Sequence, residues 1–124
     1  MEVSGRDLAE LFRNACFAVF DNMLHLDRVV ARESRHVELR SESLEGLFMD
    51  WLRELLFRFS TEYFIVSDVP ALNLEGNRLV AEIRGERFDP KRHRIKIEIK
   101  TPTYHMFRIE QRDDGCRATV VFDV

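Results

Sequence analysis

The sequence predicts an α+β domain, a mainly antiparallel sheet with two helices packed on one face. Three observations predict it. Two stretches repeat apolar residues every three or four positions, the period changes to every second position after Ser60, and turn-forming residues separate the alternating stretches. Strands that follow helices in a run, rather than alternating strictly with them, point to antiparallel pairing. With 124 residues, 45% of them hydrophobic, the chain suits one domain over residues 1–124, because a core of this size buries roughly two thirds of the unfolded surface.

The first helical stripe is Leu8, Leu11, Phe12, Ala15, Cys16, Val19 and Met23, and it should end near Leu24. Asp7 is its expected N-cap, with Glu10 reaching back in a capping box. The second stripe is Leu44, Leu47, Phe48, Trp51, Leu52, Leu55 and Phe59 behind a Ser43 cap, with Asp50, Arg53, Glu54 and Arg58 facing out or at its rim. Each helix start follows a short extended stretch, Glu2 to Ser4 and Arg35 to Arg40, so a duplicated strand-helix unit is one reading. Leu79, Ala81 and Ile83 form one alternating set. Ile95, Ile97 and Ile99 form the next, with Lys96, Glu98 and Lys100 on the opposite face. Glu75, Gly76 and Asn77, and then Asp113, Asp114 and Gly115, supply residues that tolerate positive φ and should close two hairpins. The last strand is expected over Arg117 to Asp123.

The net charge of −3, with both signs interleaved, argues against general adhesion to nucleic acid or acidic membranes, so any RNA contact would be local. Cys16 and Cys116 lie in unrelated segments without CxxC spacing, which suits buried free thiols in a reducing compartment. No apolar run approaches the roughly 20 residues of a membrane span, and the start lacks a basic-then-apolar leader, so the expected location is the cytoplasm.

No GxSxG or HExxH motif occurs, and the glycines stand singly, which leaves no phosphate cradle. Around Tyr104 and His105, from Lys100 through Thr103, alternation breaks, and Pro102 cannot donate to a ladder, so a bulge or an edge is expected. The plain reading is a kinked strand; the functional one is a surface that contacts another macromolecule. A hydrolase built on Tyr104 and His105 would need turnover by the protein alone. Arg84, Arg87, Lys91, Arg92, His93, Arg94 and Lys96 form a basic concentration that reads as a solvated loop or as a contact for phosphate or an acidic partner, with only Phe88 as an aromatic inside it. Asp123, next to Val124 and its α-carboxylate, would crowd two carboxylates if the strand is docked, which calls for a cation with hard oxygen ligands.

Five segments carry a resemblance to a known family: Leu8-Ala9-Glu10-Leu11-Phe12, Met23-Leu24-His25-Leu26-Asp27, the helix Asp50-Trp51-Leu52-Arg53-Glu54-Leu55-Leu56, Thr103-Tyr104-His105, and the ending Val121-Phe122-Asp123-Val124. In this combination, order and spacing the chain resembles the archease family along essentially its whole length. The resemblance implies a fold related to the SHS2 module and a non-catalytic role in tRNA splicing or RNA repair. The partner it implies is an RtcB-type RNA ligase, whose guanylylation by GTP and repeated turnover archeases promote. A chaperone-like effect on a tRNA methyltransferase is also ascribed to the family, and no tight direct binding of nucleic acid is expected. It further implies a divalent metal site, with calcium as the expected ion and magnesium as the second choice, to which Asp27, Asp123 and Val124 would contribute. Lys100, Thr103, Tyr104 and His105 are the expected partner-binding residues. Family members begin with a strand that holds a His-Thr-Ala-Asp segment. The expectation is that this chain starts just after it, lacks one metal carboxylate and leaves a sheet edge open.

Overall fold

The computed structural model describes residues 1–124. In chain order the elements are β1 (Glu2–Gly5), α1 (Leu8–Met23), a 3₁₀ turn (Leu26–Arg28), β2 (Glu33–Arg40), α2 (Leu44–Glu62), β3 (Phe64–Glu75), β4 (Arg78–Arg87), β5 (Thr101–Arg112) and β6 (Gly115–Asp123). All pairing is antiparallel, and the fold is α+β as the sequence predicts. The strands divide into two three-stranded sheets, ordered β1-β6-β5 and β2-β4-β3, rather than forming one. Each strand-helix unit brings a strand to a different sheet, and the helices join the halves. α1 rests on β1, β6 and β3, and α2 on β5, β2, β3 and β4.

Local chemistry fixes the helix starts. The Asp7 side chain accepts from the Glu10 N–H at 2.8 Å, and Ser43 Oγ accepts from the Gly46 N–H at 3.0 Å, so each cap satisfies an amide that the helix leaves free. Glu10 reaches one residue further back than a capping box requires, accepting from the backbone N–H and the guanidinium of Arg6. The stripes read from sequence face the core, and Phe20, Met49 and Leu56 widen them. Gly76, at φ 59°, turns the β3–β4 hairpin, and Asp113 and Asp114 with Gly115 turn β5 into β6.

The helices meet where Trp51, fully buried, donates its indole N–H to the Phe12 carbonyl at 2.9 Å. That bond satisfies the one polar atom the ring carries into the core. Phe48 sits edge-on to Phe12 with centroids 5.1 Å apart. Cys16 is buried and Cys116 half-buried, both as free thiols, and burial pushes both thiols up from their ordinary range.

One expected strand is absent. Ile95 to Ile99 forms no ladder, and only Ile99 is buried. The segment's amides are used elsewhere: the Lys96 and Ile97 N–H groups donate to the Met23 carbonyl at the end of α1, at 2.7 and 3.4 Å, and the Lys100 N–H donates to the Asp123 carbonyl at 2.9 Å. The segment therefore caps a helix and laces it to the end of β6, where alternation alone would have paired it into a sheet.

Replacing Trp51 with Ala removes the ring and its bond to the Phe12 carbonyl, and is expected to cost about 3–5 kcal/mol in a urea-unfolding titration. Trp51→Phe retains most of the volume and should cost clearly less. Equal costs for the two would show that the lost indole N–H bond, which both variants lack, sets the penalty and that the ring volume adds nothing.

Candidate functional site

The β5–β6 ladder assembles most of the residues singled out above at one end of its sheet. Thr101 pairs with Asp123, Pro102 with Phe122 and Thr103 with Val121, and the pairing resumes only at Arg108 opposite Thr119. Between these points Tyr104, His105, Met106 and Phe107 face Val120 alone, which makes the bulge that the broken alternation predicts, on a strand that is a sheet edge as Pro102 requires. Thr103 Oγ1 donates to the Val121 carbonyl at 2.8 Å and fixes the start of the bulge. Lys100, Tyr104 and His105 are exposed beside it.

The bulge has a fixed foot and a strained tip. Phe107 stacks on Phe48 of α2, with centroids 5.9 Å apart and planes at 15°, and Tyr104 meets Phe107 edge-on at 5.8 Å. The Arg53 guanidinium lies 5.3 Å from the Tyr104 centroid. Met106 has φ 55°, the left-handed region that costs a non-glycine residue about 1–2 kcal/mol, and its side chain is 73% exposed.

Asp27 is exposed in the 3₁₀ turn, while Asp123 ends β6 and Val124 follows it, both exposed. The Asp123 end is docked by its two-sided use of backbone, pairing with Thr101 and accepting from Lys100, so it does not fray. No group of three or more His, Cys, Asp or Glu side chains is arranged to hold a metal ion. A calcium ion takes six to eight oxygens, so the donors present do not by themselves make a closed metal site.

The basic concentration is built around a buried acid that the sequence reading missed. Glu86 is 2% exposed near the end of β4. It accepts from the Val30 N–H at 2.6 Å, from both terminal nitrogens of Arg92, and from His93 Nε2 at 3.1 Å, with the Arg32 guanidinium at 3.3 Å. The Asp89 N–H donates to His93 Nδ1 at 2.9 Å, which leaves Nε2 to carry the proton toward Glu86. Arg92 and His93 thus turn inward, leaving Arg87, Lys91, Arg94 and Lys96 exposed. Gly85 lets β3 come close here, since a Cβ on it would lie 1.7 Å from the Ile65 carbonyl oxygen. The available signal was a Glu and an Asp inside an otherwise basic run.

These features define a class, a small two-sheet α+β domain with an exposed bulge on the edge strand that pairs with Asp123 and a basic loop clamped from within. The chain matches the archease protein family (MTH1598/TM1083) over residues 1–124. It is 38% identical to the protein archease of Archaeoglobus fulgidus over 99% of this chain and 90% of that protein, and 34% identical to that of Sulfurisphaera tokodaii over 97% and 87%. Among solved structures it is similar to protein 1598 of Methanobacterium thermoautotrophicum, with a TM-score of 0.76 and 30% identity over 98% of this chain and 89% of that one. It is also similar to an archease and possible chaperone from Thermotoga maritima, with a TM-score of 0.72 and 25% identity over 100% of this chain and 88% of that one. The chain belongs to the archease family. No helix is long and apolar enough to cross a membrane.

The Arg92 guanidinium, then the Val30 N–H and His93, hold the Glu86 carboxyl down to about 2 against the burial that would raise it. A folded value below the unfolded one gives stability that is complete above about pH 4.5 and fades as pH falls toward 2. The full contribution is on the order of 3 kcal/mol. Glu86→Gln should therefore lower the denaturant midpoint at neutral pH, and the gap to the wild type should narrow below about pH 4.5 and close as pH falls through about 2. A gap that persists unchanged in acid would show that packing, not the carboxylate charge, holds the loop.

Proposed function

We propose that this protein is a non-catalytic cofactor of an RtcB-type RNA ligase, acting in the cytoplasm in tRNA splicing or RNA repair by promoting guanylylation and repeated turnover. The observation that carries the reading is the β5–β6 pairing, which sets the exposed Lys100 against Asp123 and starts the bulge with exposed Tyr104 and His105 just past Thr103, opposite Val121, on the same edge strand. Thr103 is spent on the Val121 carbonyl and acts by fixing the bulge. A partner that docks on this end meets an aromatic bulge and a pair of carboxylates together. The other polar concentration, at Glu86, is closed inside the fold and offers nothing to a substrate.

The cation that the family resemblance implies enters as a shared ligand. Asp27, Asp123 and the Val124 carboxylate are too few donors to fill the shell of a calcium or magnesium ion, so further oxygens come from the partner, from water or from residues upstream of Met1. The observed register shows where upstream residues would lie. Met1 pairs with Val120 through bonds of 2.7 and 2.8 Å, and the β1 side of Val121, Phe122 and Asp123 has no ladder partner. A strand continuing upstream of Met1 would run alongside those three residues and could bring a carboxylate to Asp123.

Chaperone-like support of a tRNA methyltransferase is a second reading, favoured by the description of the Thermotoga maritima relative as a possible chaperone. Salt separates it from direct RNA binding, since affinity carried by several phosphate contacts falls steeply as salt rises.

Asp123→Ala is expected to abolish stimulation of ligase guanylylation while the melting temperature stays within a few degrees of the wild type, because an exposed terminal carboxylate adds little to the core. Full stimulation by Asp123→Ala would remove this carboxylate from the mechanism. Adding a His-Thr-Ala-Asp segment upstream of Met1 should tighten calcium binding in a calorimetric titration, and unchanged affinity would show that no upstream carboxylate reaches Asp123.

A further inference from the structure

We infer that Met106 is an anchor residue, presented by the β5 bulge to an apolar pocket on a partner protein. The inference deepens the ligase reading, and rests on it, by assigning the residue that the partner grips. The first observation is a mismatch between conformation and residue type. Met106 holds φ 55° where glycine would sit without cost, and with its side chain 73% exposed it gains little packing within this chain to offset the strain. Strain of this kind persists where the surroundings over-determine it.

The surroundings do so here. Four residues are held opposite Val120 alone, Thr103 is tied to the Val121 carbonyl, and Phe107 is stacked on Phe48. The thioether is therefore held out on a rigid support, and a flexible loop would not achieve that. Methionine also suits an apolar pocket of another protein, since its unbranched chain and polarisable sulfur adapt to irregular walls. Exposed Tyr104 extends the apolar surface at its base.

The kind of partner follows from what the bulge excludes. A strand from a second copy would need a continuous row of free backbone groups on the β5 edge, and the bulge interrupts that row. A nucleobase stacking on Tyr104 would have to compete with the Arg53 guanidinium that already lies over its ring. Exposed Lys100 lies three residues before the bulge-fixing Thr103, and the one carboxylate paired with Arg53 is Asp50, at 3.5 Å. The complementary surface is an apolar pocket rimmed by carboxylates, with the cations at the edge and the methionine at the centre.

Three variants test this in a calorimetric titration against an RtcB-type ligase, with melting temperatures measured in parallel. Met106→Gly removes both strain and side chain, and should weaken binding by about tenfold or more while melting at or a few degrees above the wild type. Met106→Ala keeps the strain and should weaken binding to a similar degree. Met106→Leu restores an apolar side chain and should bind within roughly threefold of the wild type. Wild-type-like binding by Met106→Gly would overturn the anchor alone. A marked fall in its melting temperature would overturn the premise that the side chain is unsupported within this chain. No binding by the wild-type protein would overturn the ligase reading, and the anchor with it.

Discussion

Phe48 is the contact on which both the core and the surface depend. On one side it meets Phe12 edge-on, next to the bond from Trp51 to the Phe12 carbonyl, and on the other it stacks with Phe107 at the foot of the bulge. The order Phe12, Phe48, Phe107, Tyr104 runs from the fully buried interior to a ring that is 56% exposed. Aromatic pairs add about 1 kcal/mol each beyond the area they bury, so no single pair dominates. Their connection matters more: the surface bulge is as rigid as the helix pair behind it, because close-packed interiors pass displacement on to their neighbours.

Much of this was legible because period and cap chemistry are local. Asp7 and Ser43 announced their helices, and the stripes from Leu11 to Met23 and from Leu47 to Phe59 face the core as the spacing requires. Gly76 and Gly115 announced the hairpins. The break around Pro102 announced an irregular edge, although nothing in the sequence stated how many residues the bulge would hold or that Met106 would take the left-handed conformation. That depends on where pairing resumes at Arg108, which is a property of the assembled sheet.

Two misreadings share one cause. The alternation from Ile95 to Ile99 meets every requirement of a half-buried strand, yet its amides go to the Met23 and Asp123 carbonyls. Glu86 lies on the same alternation phase as half-exposed Glu82 and Arg84, and reads as solvated, yet the loop from Asp89 to His93 covers it. In both cases unsatisfied polar groups, the carbonyls at the end of a helix and a strand and the carboxylate near the end of β4, drew in the segment between β4 and β5. Periodicity records which face of an element is apolar and is silent on such polar demands.

The two clusters divide the polar chemistry of the chain in a way that bears on function. At Glu86 every strong group has a partner within the fold, and the result is a clamp whose energy is spent on holding a loop. At the β5–β6 end the groups are fixed at their backbone and left free at their tips. Asp123 is docked through Thr101 and Lys100 with its side chain exposed, and the bulge is fixed through Thr103 and Phe107 with Tyr104, His105 and Met106 projecting. A side chain whose backbone is already ordered loses less entropy on association than one on a mobile loop, so affinity is drawn from contacts rather than consumed by ordering. The same bulge spoils the sheet edge as a template for further strands. One irregularity of β5 therefore both blocks indiscriminate strand pairing and presents the surface that a specific partner would recognise.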